Sequence, residues 1–247
     1  MTDLLYILGI ALVAAVITCL GGPLAETGTL SNTVVSGALQ LAAGMLTGIV
    51  LIELLPAPME TLPLPAVAIA LCLGAAAFVM FDYFSTWKAA RQRDQVDPKA
   101  ASVSLYVGIM ADVFIDGAVI GIAASVDRAA ALPLAVGFGI GQAPLTFVAT
   151  AAARRQGTPL AARRRLLLTY AGAIIAGAML GYIILQNQPE NVKLMLLAGA
   201  GGILLAAVTQ VMIPEAIEAL HDEPPSLTGL MYVVGLAFFL LVKSIAA

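Results

Sequence analysis

Two aspartates, Asp112 and Asp116, stand four residues apart inside an apolar run that reads Gly108-Ile-Met-Ala-Asp112-Val-Phe-Ile-Asp116-Gly117-Ala-Val-Ile-Gly121. In helical register that spacing is a little more than one turn, so both carboxylates and Gly108 fall on one stripe. Two carboxylates in a low-dielectric surrounding repel each other, and the arrangement calls for a cation between them or a proton on one of them. The competing reading is local: Asp116 caps a helix break at Gly117, and Asp112 bonds a neighbouring hydroxyl. Gln142 and Thr146 repeat the four-residue spacing further along. As neutral oxygens they can complete a coordination shell, or they simply hold helices together. Between them, Pro144 lacks the amide that would bond the carbonyl of Ile140, which predicts a kinked, glycine-rich helix with a freed carbonyl beside Gln142.

Other polar residues lie within or at the ends of apolar stretches. Glu53 falls about one turn before Pro56, and Asp82 sits in MFDYFSTW. Either is a candidate relay at a path entrance, although an acid near a helix end also reaches interfacial water. Gln210 lies deeper, where it shares the site or pins a helix. His221-Asp222-Glu223, with Glu215 and Glu218, makes an acidic end that gathers cations or is simply solvated.

Of the 247 residues, 61% are hydrophobic and only 11% charged, which places the chain in an all-α membrane class rather than among soluble domains. A single histidine and two cysteines in separate apolar segments, Cys19 and Cys72, exclude a histidine-rich metal cluster and a disulfide framework. No basic patch suggests nucleic acid. GxSxG, HExxH, P-loop and strand-borne GxGxxG motifs are all missing, so no enzyme and no tightly bound cofactor is expected. Met1-Thr-Asp3 opens on an apolar run without a basic lead, and a removed signal peptide is not expected.

Apolar stretches of spanning length recur at about 4–20, 34–55, 64–85, 102–126, 131–153, 166–186, 194–213 and 227–245, which predicts eight membrane helices in a single domain over 1–247. The links Lys88 to Lys99 and Arg154 to Arg165 hold nine of the twelve basic residues. The positive-inside rule puts them in the cytoplasm, leaves both termini outside, and points to the cell (inner) membrane. Trp87, Tyr83, Tyr106 and Tyr232 fit interfacial anchoring.

The chain also repeats itself. Gly44 to Glu60, GMLTGIVLIELLPAPME, and Gly202 to Glu218, GILLAAVTQVMIPEAIE, align Gly44, Pro56 and Glu60 with Gly202, Pro214 and Glu218 without a gap. The same offset roughly carries helices one to three onto six to eight; the competing reading is that glycine, leucine and proline recur by composition alone. Because helix one starts outside and helix six inside, the triplets are expected to be inverted copies around helices four and five, where a transporter places its site.

Phe114-Ile115-Asp116-Gly117 resembles the fourth helix of the ZIP (Zrt/Irt-like) divalent-metal transporters, whose motif reads HNFxDG or HNxPEG. LLPAPME and VMIPEAIE resemble that family's segments ending in LLPEA and IPE, and Gly177-Ala-Met-Leu-Gly181 is similar to its GALLG stretch. The resemblance covers most of the chain. It implies eight helices, outward termini, inverted triplets, a metal site between helices four and five, and alternating access in which a four-helix unit carries the site. Asp112 and Val113 replace the family's His and Asn, Gly141-Gln142-Ala-Pro144-Leu145-Thr146 stands where the family reads HEIPHE or QDxPEG, and Ile174 and Val211 replace acids.

At matching positions the resemblance leaves Asp112, Asp116 and Gln142, an all-oxygen ligand set. The family implies zinc or iron as substrate, whereas carboxylate and amide oxygens suit manganese, magnesium or calcium. The expected function is a ZIP-like permease for a divalent cation, with proton exchange and a homodimer left open. The alternative is a ZIP-fold membrane protein that has lost metal transport and moves another small solute or acts as a sensor or scaffold.

Overall fold

The computed structural model describes residues 2–27, 31–92, 98–220 and 228–246, with side chains for 3–27, 31–84, 110–220 and 229–244. Every element among them is helical. In order these are α1 (Thr2–Cys19), α2 (Gly21–Thr27), α3 (Asn32–Ile49), a π-helical turn (Val50–Leu54), α4 (Pro56–Thr61), α5 (Leu64–Gln92), α6 (Pro98–Val126), α7 (Arg128–Arg155) and α8 (Leu160–Leu185). Then come α9 (Glu190–Ala207), a second π-helical turn (Val208–Met212), α10 (Ile213–Glu218) and α11 (Thr228–Ala246). Six spans are long and apolar enough to cross a bilayer: Asp3–Thr27, Asn32–Thr61, Leu64–Phe84, Arg128–Arg155, Leu160–Leu185 and Glu190–Glu218. Exposed Leu12, Leu73, Met80, Leu168, Ile184 and Leu241 give the outer surface the apolar character that lipid requires.

Local chemistry sets the helix ends. Ser31 caps α3 by accepting from the Val34 amide at 3.3 Å, and Asp127 caps α7 by accepting from the Ala129 amide at 2.9 Å. At the other end of α7, Gly157 takes a φ of 75°, the Thr158 amide reaches the carbonyl of Ala153, and the Gly157 amide that of Arg154. This pair of bonds is a Schellman closure, and it needs glycine at the left-handed position. Arg154 and Arg155 therefore end α7 and Arg163 to Arg165 lie on α8, so the polar link expected from Arg154 to Arg165 shrinks to residues 156–159. Pro133 and Pro144 both lie within α7, which continues through them as one helix.

The two π-helical turns occupy equivalent places. α9 begins and ends 158 residues after α3, and the second turn lies 158 residues after the first. In each the ring is wide: the Leu55 amide bonds the carbonyl of Val50, and the Ile213 amide that of Val208. Each turn is followed by a proline in the first turn of the next short helix, Pro56 or Pro214.

Glycines bring three helix pairs to backbone contact. In α6 and α8, a Cβ on Gly117 would meet the carbonyl of Ile174 and one on Gly121 that of Ala178, while Gly177 and Gly181 lie in the same way against Phe114 and Ala118. Gly44 and Gly235 do this for α3 and α11, and Gly74 and Gly202 for α5 and α9. Small residues at four-residue spacing are the means by which membrane helices gain van der Waals contact that lipid cannot replace. The helices fall into two packed sets, α1, α2, α6, α7 and α8 in one and α3, α5, α9 and α11 in the other, joined where α3 meets α7 and α6 meets α9.

Candidate functional site

α6 presents Asp112 and Asp116 toward α7, which presents Gln142. Asp116 and Gln142 are buried, at 2% and 1% exposure, and Asp112 is partly buried. Gln142 Nε2 donates to Asp112 Oδ2 at 2.7 Å and to Asp116 Oδ2 at 2.5 Å. An amide nitrogen has two hydrogens, so one goes to each carboxylate and the donor is fully used. Two acceptors remain: Asp116 Oδ1 and Gln142 Oε1 are buried without a hydrogen-bond partner. A buried acceptor left unpaired costs about 1–3 kcal/mol, so two oxygens at one place favour a positive group among them. A half-turn of the amide exchanges Nε2 for Oε1 and offers a third oxygen to whatever the two carboxylates hold.

Among the described residues no three of His, Cys, Asp and Glu converge. The donors that do converge are two carboxylates and one amide, a set suited to hard cations rather than to copper or a thiolate-bound ion. No family model matches the chain. No curated protein matches it either. The functional reading therefore rests on the residues and their arrangement.

The remaining candidates lie in several places. Thr146 is buried, and its hydroxyl donates to the carbonyls of Thr18 at 2.6 Å and Ala143 at 2.9 Å, beside Gly21, so it seats α1 on α7. Glu53 pairs with Lys243 at 3.1 Å, and the same ammonium donates to the carbonyl of Ile52 at 3.2 Å, tying the first π-helical turn to α11. Gln210 is exposed on the second turn, and Asp82 is partly buried on α5. Glu215 and Glu218 are exposed on α10, while His221, Asp222 and Glu223 lie outside the described residues, as do the side chains of Trp87, Tyr106 and the cations from Lys88 to Lys99. Tyr232 has an inward role beyond the anchoring expected of it, since its hydroxyl donates to Thr47 Oγ1 at 2.8 Å between α11 and α3.

The sequence reading missed one cluster. At the arginine-bearing end, Arg163 grips Glu26 through two bonds, Nε to Oε1 at 2.7 Å and a terminal nitrogen to Oε2 at 2.8 Å, and also donates to the carbonyl of Thr158. Arg154 donates to the carbonyls of Ala25 at 3.1 Å and Glu26 at 2.8 Å, so its charge caps the end of α2. These arginines were read only as topology signals. The clue to a second role was Glu26 itself, an acid at the end of an apolar run on the side where the arginines gather.

Proposed function

We propose that the chain is a ZIP-like permease that moves a divalent cation across a membrane by alternating access, holding the ion between Asp112 and Asp116 of α6 with Gln142 of α7. The observation that carries this reading is the shared amide: Gln142 bridges both carboxylates, and Asp116 Oδ1 and Gln142 Oε1 stay buried and unpaired beside it. Charged groups inside an apolar bundle are costly, and they mark ion or proton pathways more often than structural contacts.

Eight crossings are part of the proposal, with α6 and α11 adding to the six long apolar spans and both termini outside. The equal offset of the two π-helical turns supports an inverted repeat of helices one to three and six to eight. The division into two packed sets supports movement of one set against the other, with the acid pair carried by the set that contains α6 and α7. The amide holds the carboxylates apart from lipid and from each other when no ion is bound, and it turns to offer its oxygen when one is.

Uptake of manganese, zinc and iron into proteoliposomes tests the reading. Wild type is expected to accumulate at least one of them, and Asp116→Ala to lose it. Equal, background-level uptake by both overturns metal transport. One observation favours the second reading, a ZIP-like protein that moves another small solute or serves as a sensor or scaffold: only two acids converge at the site among the described residues. Saturable metal binding without uptake would support that reading.

A further inference from the structure

The acid pair is not the end of the polar material on α7. Gln142, Thr146, Thr150 and Arg154 recur every four residues toward the arginine-bearing end, a distance of about 18 Å at 1.5 Å per residue. A four-residue repeat drifts slowly around a helix, and the partners change accordingly. Gln142 reaches α6, Thr146 the carbonyl of Thr18 on α1, and Arg154 the end of α2. Thr150, buried at 2%, lines a mostly apolar cavity of about 220 Å³ together with Gly22, Leu160 and Leu167 as well as Glu26, Arg163 and Arg164. Thr18 adds a hydroxyl oxygen that is buried without a partner along the same line.

On the other side of the acid pair the same helix is apolar. Ala131, Leu134, Ala135 and Phe138 are buried there, and Gly137 and Gly141 are closed over by Phe239, Ile49 and Leu46. Among the described residues of α7, the buried polar side chains thus lead from Gln142 toward the arginine-bearing end. At the far end of that line Arg163 grips Glu26 through two bonds on the wall of the cavity.

Resting on the transport reading, we propose that a cation leaves the Asp112–Asp116 site along the Gln142–Thr146–Thr150 face of α7, which Thr18 and Gly21 cover in this conformation and must move off, into the Thr150 cavity, and that the Glu26–Arg163 pair is the gate at its cytoplasmic mouth. Threonine hydroxyls and backbone carbonyls replace part of the ion's hydration on the way, and Glu26 receives it when Arg163 lets go. Opening exchanges one positive partner of Glu26 for another, so the carboxylate is not left alone at any stage.

A charged thiol reagent decides this without requiring transport. In the full chain with Cys19→Ala and Cys72→Ala, Thr150→Cys is treated with a membrane-impermeant, cationic methanethiosulfonate from the arginine-bearing face of membrane vesicles. Labelling is expected from that face only, and about tenfold faster when Arg163→Gln or Glu26→Gln removes the pair, a factor equivalent to about 1.4 kcal/mol less holding the gate shut. Leu134→Cys, on the apolar side, is expected to stay unlabelled from either face. Labelling of Thr150→Cys that neither gate variant accelerates, or equal labelling of Leu134→Cys, overturns the route.

Manganese measurements separate this inference from the transport reading. Glu26→Gln is expected to change the uptake rate severalfold and leave binding to the detergent-purified protein unchanged, whereas Asp116→Asn loses both. Loss of binding in Glu26→Gln would make Glu26 a ligand and overturn its role as gate. Absence of uptake in wild type would sink the transport reading, while the labelling still decides the route.

Discussion

Lys193, on α9, donates its ammonium to the carbonyl of Ser125 near the end of α6, at 3.0 Å, and to that of Gln186 just past α8, at 3.2 Å. The residue is buried at 9% exposure and joins the two packed helix sets at one end of the molecule. A cation at two helix C-termini compensates carbonyls that have no partner within their helices. Lys193→Met is therefore expected to lower stability by about 1–3 kcal/mol, the usual range for a buried hydrogen-bonded group left unpaired. Thermal unfolding in detergent checks this, and Lys193→Arg is expected to recover part of the loss. A Lys193→Met midpoint equal to wild type would remove any role for the link.

The glycine contacts predict a sharp difference between neighbours on one helix. A Cβ on Gly177 would meet the carbonyl of Phe114, whereas one on Gly172 has nothing within 4 Å. Gly172→Ala is expected to be neutral or to gain up to about 1 kcal/mol from helix propensity, while Gly177→Ala loses about 1–3 kcal/mol through overpacking. Midpoints of the two variants measured side by side decide this, and the same order for both would refute close packing of α6 on α8.

The hydrogen bond between Tyr232 and Thr47 is open to a double-mutant cycle. Contacts of this kind within membranes average about 0.6 kcal/mol, and the coupling between Tyr232→Phe and Thr47→Val is expected near that value. Additive effects would show that the bond does not contribute.

Gln142 gives a prediction that joins stability to the proposed ligand. Gln142→Leu removes both donors and leaves the carboxylates facing an apolar group, so the ion-free protein is expected to unfold at a lower temperature than wild type. Gln142→Glu adds a third acid, and manganese is expected to raise its melting temperature more than it raises that of wild type. For a ligand at one hundred times its Kd, linkage gives about 2.7 kcal/mol. A Gln142→Glu protein indifferent to manganese, calcium and magnesium alike would count against a cation between the acids.

The helices and the acid pair were legible because each depends on short-range pattern. Every apolar stretch from 4–20 to 227–245 contains a helix, and the four-residue spacing of Asp112 and Asp116 placed both on one face. Gln142 was named as their companion from its four-residue spacing to Thr146 and from the family resemblance, and the structure hydrogen-bonds it to both. The π-helical turns were not foreseen, since no residue type marks a wide ring, although the repeat that aligned Pro56 with Pro214 ran straight through them. The grip of Arg163 on Glu26 spans 137 residues in sequence, and hydropathy alone carries no information on such a pairing. Helix ends were misplaced where charge was taken to mean loop: Arg154 and Arg163 lie within helices, because a helix continues as far as its backbone bonds and caps allow and does not stop where the membrane does.

Gly117 follows Asp116 directly and lies against the carbonyl of Ile174. The height and angle of the carboxylate are thus set by main chain on main chain, with no side chain between to adjust. Lipid-facing residues of α6 and α8 can change freely and the acid stays where it is, as if splinted; a single methyl group at Gly117 is the smallest alteration that would move it.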